Sequence, residues 1–190
     1  MLDFPSSKNE VRQLALKLAK FLKQNVKYAH TRQEWTFQNF YLLERFFGKE
    51  GLGLDCQPND AEGEFLWDFV AYIKYRGILL VAESEWDNNE VDNIVPELEK
   101  DFDKLLYARS PLKLFMCWIK YPEQAEKIRE RLQINLEGNC TYYSPGEAFI
   151  IFCTWRDEGD GNNGIAYILQ IDGEPKYQAK ATERFEIDEK

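Results

Sequence analysis

Glu83 and Glu85 close a stretch, Ile78-Leu-Leu-Val-Ala-Glu-Ser-Glu-Trp86, that is otherwise apolar. In a β-strand, residues i and i+2 point to the same face, about 7 Å apart along the strand. A carboxylate buried there needs a cation, a hydrogen-bond network or solvent. A third acid, Asp68, lies in the preceding run, Phe65-Leu-Trp-Asp-Phe69. If a two-residue turn joins the two runs, their paired residues have an odd index sum. A Tyr75-Arg76 turn then sets Asp68 opposite Glu83, and an Arg76-Gly77 turn sets it opposite Glu85. Either way the three acids share a face, with directly opposed Cβ atoms roughly 5 Å apart. A three-residue turn would instead put Asp68 opposite Ala82 or Ser84, which weakens the grouping. Three acids on one face repel each other unless a cation neutralises them. A hard divalent ion with oxygen ligands, Mg2+ or Mn2+, is the expected cofactor. The competing reading is a solvated acidic rim, against which stands the apolar approach on both strands.

Other chemistry finds little support in the chain. His30 is the single histidine, so Ser-His-Asp, Cys-His and H-E-x-x-H mechanisms would all pass through it, and no nucleophile elbow or acid partner lies nearby. It reads as a basic residue at a helix end. Gly48-Lys49-Glu50-Gly51 lacks the Ser or Thr of a P-loop and reads as a helix cap and turn. Cys56, Cys117, Cys140 and Cys153 show no C-x-x-C spacing, which removes zinc-ribbon and redox motifs and suits a reducing cytoplasm. No apolar run approaches the roughly 20 residues of a membrane span, and Met1-Leu-Asp-Phe-Pro5 does not resemble a secretory signal.

The elements around the acids follow from periodicity. Residues 8–28 and 31–47 place apolar side chains at helical spacing, among them Leu14, Leu18, Leu22, Trp35, Leu43 and Phe47. Residues 48–63, rich in Gly, Asp, Asn and Pro, read as a loop. Residues 65–73 and 78–86 read as a hairpin, 92–109 as a helix and 112–119 as a buried strand. Pro96 is compatible with the helix only in its first turn. Residues 122–136 form a charged helix, 148–155 and 164–171 a second hairpin, and 183–190 a frayed polar end. The order predicts an α/β domain over 1–190, a mixed central sheet with helices on both faces. Its parts are an N-terminal helix (1–30), a core carrying the acids (31–120) and a C-terminal helix and hairpin (121–190).

An Asp on one strand of a hairpin, Glu-x-Glu on the next and a helix after it resembles the PD-(D/E)XK nuclease superfamily. The shared core order is α-β-β-α-β, here 31–47, 65–73, 78–86, 92–109 and 112–119, about the middle half of the chain. The resemblance implies a restriction endonuclease-like fold and Mg2+-dependent hydrolysis of DNA, with Asp68 and Glu83 as metal ligands. Glu85 falls where most members carry lysine and some carry glutamate. Lys104, in Asp101-Phe-Asp-Lys-Leu105, is the candidate for a catalytic lysine supplied from the helix, although its angle well off the apolar stripe better suits a solvated surface lysine. Glu44, on the preceding helix, matches a position that gives some members an extra metal ligand. Trp86 reads as a packing cap on the sheet end.

With 33 acidic and 24 basic residues the net charge is −9, which argues against tight non-specific nucleic-acid binding. Lys17, Lys20, Lys23 and Lys27 could form a local basic strip or simply the solvated face of a helix. Three functions therefore compete. One is the nuclease, for which a homodimer would suit cutting of two strands. The second is a catalytically silent scaffold that binds a protein partner, and the third a phosphohydrolase of small nucleotides, which lacks a phosphate-cradling glycine loop.

Overall fold

Ser7 and Thr31 each start a helix because their side-chain oxygens accept a backbone N–H three residues on, from Glu10 at 3.3 Å and from Glu34 at 3.1 Å. Glu10 reaches back to the Ser7 N–H and completes a capping box. The two helices, α1 (Lys8–Asn25) and α2 (Arg32–Phe47), bury Leu18, Leu22, Trp35, Leu43 and Phe47 against one face of a sheet. His30 precedes the second helix and does not close the first; its N–H donates to Glu34 Oε2 at 2.7 Å.

The computed structural model describes residues 4–27, 29–58, 67–86, 95–139, 146–156, 162–171 and 179–186. The strands are β1 (Asp55–Pro58), β2 (Phe69–Ile73), β3 (Gly77–Trp86), β4 (Leu112–Trp118), β5 (Ala148–Arg156), β6 (Asn162–Ile171) and β7 (Ala179–Glu186). They form a seven-stranded sheet in sequence order. β3, β4 and β5 run parallel, and every other neighbouring pair is antiparallel. The two parallel connections carry α3 (Val95–Leu106) and α4 (Glu123–Gly138). Both pack on the face opposite α1 and α2, where Phe102, Leu105, Ile128 and Leu132 meet Val81, Phe115, Phe149 and Ile151. β4 is buried along its whole length, as a central parallel strand covered on both faces should be. The protein is thus a mixed α/β sheet flanked by helices on both faces, with α2, β2, β3, α3 and β4 in the expected order.

The edges of the sheet depart from the sequence reading. The stretch 48–63 contains β1, whose Asp-Cys-Gln-Pro carries no strand signal and is held by pairing with β2. Pro58 is tolerated because an edge strand leaves one side of its backbone unpaired. The polar end is likewise partly a strand, since β7 pairs antiparallel with β6, while 187–190 lie outside the described residues. β2 begins at Phe69 and α3 spans Val95–Leu106, shorter than the expected 65–73 and 92–109; residues 65–66 and 92–94 lie outside the described residues. Pro96 falls in the first turn of α3, as its missing N–H requires.

Candidate active site

The turn between β2 and β3 has three residues, Lys74-Tyr75-Arg76, with Ile73 paired to Gly77 and the Arg76 N–H donating to the Ile73 carbonyl at 2.9 Å. Alone, that turn would send Asp68 to the wrong face. A β-bulge reverses the error. Tyr72 pairs with Ile78 but Ala71 pairs with Leu80, leaving Leu79 as an extra residue on β3. Beyond it Val70 opposes Val81 and Phe69 opposes Ala82, so the continuing register sets Asp68 against Glu83. Leu79 and Leu80 consequently lie in the same core beneath α1 and α2. Alternation resumes with Val81, and Glu83 and Glu85 follow it onto the face covered by α3. The Ser110 hydroxyl lies 2.8 Å from the Leu79 carbonyl, giving the bulged residue a hydrogen-bond partner.

Asp68 stands just before β2, and its Oδ2 accepts the Ser84 N–H at 2.8 Å. From the other face Asn39 Nδ2 donates to Ser84 Oγ at 2.8 Å, so the residue between the two glutamates is fixed from both sides. Trp86 stacks on Trp118 with centroids 4.3 Å apart and meets Trp35 edge-on, which makes it the packing cap expected.

α3 brings two further charges to this place. Lys104 Nζ lies 3.3 Å from Glu83 Oε2 and 2.6 Å from Asp101 Oδ1. The position off the apolar stripe is real, but the margin of the helix here faces the acidic end of β3. Lys104 is therefore only partly exposed, at 32%, rather than a solvated surface lysine. Trp67 Nε1 donates to the Lys104 carbonyl at 3.0 Å and ties this turn of α3 to the segment that carries Asp68. Glu85 shares a hydrogen bond with Asp101, and Arg32 Nη2 stands 3.6 Å from Glu85 Oε2.

Glu83 is 1% exposed. Burial, with the Asp68 charge adding to it, pushes its carboxyl up to about 8 against the pull of Lys104. Glu85 is also pushed up to about 8, by burial and then by its hydrogen bond to Asp101 and that residue's charge. Burial acts upward on Asp101 too, but the hydrogen bonds to Glu85 and Lys104 outweigh it and hold the carboxyl below its ordinary value. Glu85 and Asp101 therefore titrate as a pair, with the upward shift on Glu85 and the downward shift on Asp101 beside the ammonium. Asp68 is raised by burial, partly offset by the Ser84 N–H. For Lys104, burial works to lower the ammonium but loses to Asp101 and Glu83, so its pKa is raised.

One atom of the group is unsatisfied: Glu83 Oε1 is buried with no hydrogen-bond partner among the described residues. The donor set, all carboxylate oxygen, suits a hard divalent ion. Among the described residues, no three acidic, histidine or cysteine side chains stand close enough to cage such an ion by themselves. An ion at Glu83 Oε1 would draw remaining ligands from water or substrate, as Mg2+ commonly does.

Asp68, Glu83, Glu85 and Lys104 are therefore neighbours, whereas Glu44 stands apart. It lines a cleft of about 510 Å³ with Tyr41, Arg45, Asp55, Cys56 and Tyr72, on the α2 side of the sheet. Burial, then the charges of Glu44 and Asp55, push the Cys56 thiol up to about 12, which disfavours the thiolate. Two residues of the site, Asp101 and Arg32, escaped the sequence reading. Asp101 had a signal: three residues before Lys104 on a helix, it shares that lysine's face. Arg32 had none, because its approach depends on how α2 lies against the end of β3. No protein-family model matches this chain, and no curated protein matches it.

Proposed function

We propose that the protein is a Mg2+-dependent nuclease that hydrolyses DNA phosphodiester bonds, with Asp68, Glu83, Glu85 and Lys104 at its site. The observation that carries this reading is Glu83, a carboxylate withdrawn from water with one oxygen on Lys104 and the other without a partner among the described residues. A half-satisfied buried carboxylate destabilises a fold, so its position argues for a ligand. Asp68 and Glu83 would hold the ion, which when bound supplies Lewis-acid charge to a phosphate oxygen and acidifies a water molecule.

The chain's own groups supply the rest. The Lys104 ammonium, held beside Glu83, stabilises the negative charge that develops on the phosphate oxygens. Glu85, losing its proton near pH 8, accepts a proton from the attacking water at a carboxylate oxygen. Arg32 is 69% exposed, and its weak contact with Glu85 leaves it free to turn to a neighbouring phosphate. DNA is the proposed partner. No helix among the described residues is long and apolar enough to cross a membrane. A reducing, cytoplasmic setting belongs to the same proposal; there Cys117 and Cys153, whose Sγ atoms lie 3.1 Å apart, would remain thiols.

The test is cleavage of supercoiled and linear DNA with Mg2+ or Mn2+. Wild type should cut and lose activity in EDTA, and Asp68→Ala and Glu83→Ala should each lose at least about a hundredfold. Equal cleavage by both variants would remove these residues from the site. A second reading, a silent scaffold that binds a protein partner, is favoured by the lack of a three-acid cage among the described residues. It predicts no cleavage and no divalent-ion binding with or without DNA.

A further inference from the structure

We propose that Asp101 is a positioning residue that holds the Lys104 ammonium at Glu83. Two pairs of side chains make a closed frame. β3 presents Glu83 and Glu85, two residues apart on one face, and α3 presents Asp101 and Lys104, three apart on one face. Glu83 meets Lys104, Lys104 meets Asp101, and Asp101 meets Glu85. Within the frame the ammonium lies closer to Asp101, at 2.6 Å, than to Glu83, at 3.3 Å. Asp101 therefore sets where the charge stands, and Glu83 receives it there.

The need for such a clamp follows from the side chain. A lysine stem has four rotatable carbons and loses much freedom when its ammonium is fixed, so a single long contact would hold it poorly. The other end of Lys104 is already fixed through its carbonyl by Trp67. With Asp101 the ammonium gains a second anchor one helical turn away. Glu83 Oε1 is left uncommitted by this arrangement, so lysine and a further ligand can use the same carboxylate at once.

The catalytic consequence rests on the nuclease reading, but the clamp is read without catalysis. In metal-free, 15N-labelled protein the Lys104 Nζ–Hζ resonance, assigned by its loss in Lys104→Arg, should be protected from hydrogen exchange. It should vanish in Asp101→Asn, persist in Arg32→Ala and return in part in Asp101→Glu. Should Asp101→Asn fail to fold, Asp101→Ser is read in the same way. A Lys104 resonance as protected in Asp101→Asn as in wild type, or unprotected in wild type, overturns the proposal. On DNA, Asp101→Asn should lower kcat about 10- to 100-fold with KM and Mg2+ affinity little changed. It should add no further loss to Lys104→Met. Loss of Mg2+ binding in Asp101→Asn would make Asp101 a metal ligand and overturn the positioning role. If wild type cuts no DNA, the nuclease reading fails while the resonance still decides the clamp.

Discussion

At the scale of single residues, the site is a place where stability is given up. Glu83 and Glu85 have carboxyls pushed from 4.5 up to about 8, so between those values the folded chain binds more protons than the unfolded one. Stability linked to these groups is fully present below about 4.5 and is lost as the pH rises through about 8. Metal-free protein should therefore lose stability between pH 5 and pH 8 in urea melts. The Glu83→Gln/Glu85→Gln variant should show a smaller loss, because its amides do not titrate. Equal pH dependence in the two proteins would mean that the carboxyls are not perturbed in this way. The residue types and their face could be read from Glu-x-Glu and an upstream Asp. Lys104 could be named from the resemblance, but its contacts with Glu83 and Asp101 could not be read, since a helical wheel shows where a side chain leaves the helix but not what the facing strand offers it.

At the scale of elements, the site depends on an irregularity. The three-residue turn and the bulge at Leu79 each shift the register by one, and together they restore the pairing that a two-residue turn would have given. The bulge leaves no trace in Ile78-Leu-Leu-Val81, because both cores accept aliphatic side chains and the pattern never breaks. Edge strands were hidden for a related reason: β1 has pairing but almost no apolar signal. Ser110→Ala, which removes the hydroxyl beside the Leu79 carbonyl, should cost about 1–3 kcal/mol by chemical denaturation. It should also weaken Mg2+ binding, as the bulge sets Asp68 against Glu83; unchanged binding would separate the bulge from the site. Tyr75 holds a left-handed backbone, φ 65°, while 95% exposed. Tyr75→Gly should therefore raise stability by roughly 1 kcal/mol, and a loss instead would show that the ring stabilises the turn.

At the scale of the whole molecule, the layered sheet carries two cores and puts the site where α3 crosses the end of β3. This architecture was legible because long amphipathic helices and a fully apolar central strand are strong periodic signals. The net charge of −9 sets how such a protein meets a polyanion. Few lysines and arginines can be committed to phosphates, so DNA affinity should fall gently with salt. The slope of log K against log salt concentration should be about −1 to −3, read by fluorescence anisotropy on Glu83→Ala. A slope near −8 would indicate an extended basic surface that the charge balance does not suggest.

Whether Glu83 and Asp68 hold a divalent ion, as proposed, is decided by isothermal titration of Mg2+ and Mn2+. Wild type should bind saturably, alone or with a DNA duplex present to lend a phosphate ligand, and Glu83→Ala should not bind in either condition. Absence of binding by wild type in both conditions, or equal binding by Glu83→Ala, would mean that these carboxylates hold no ion.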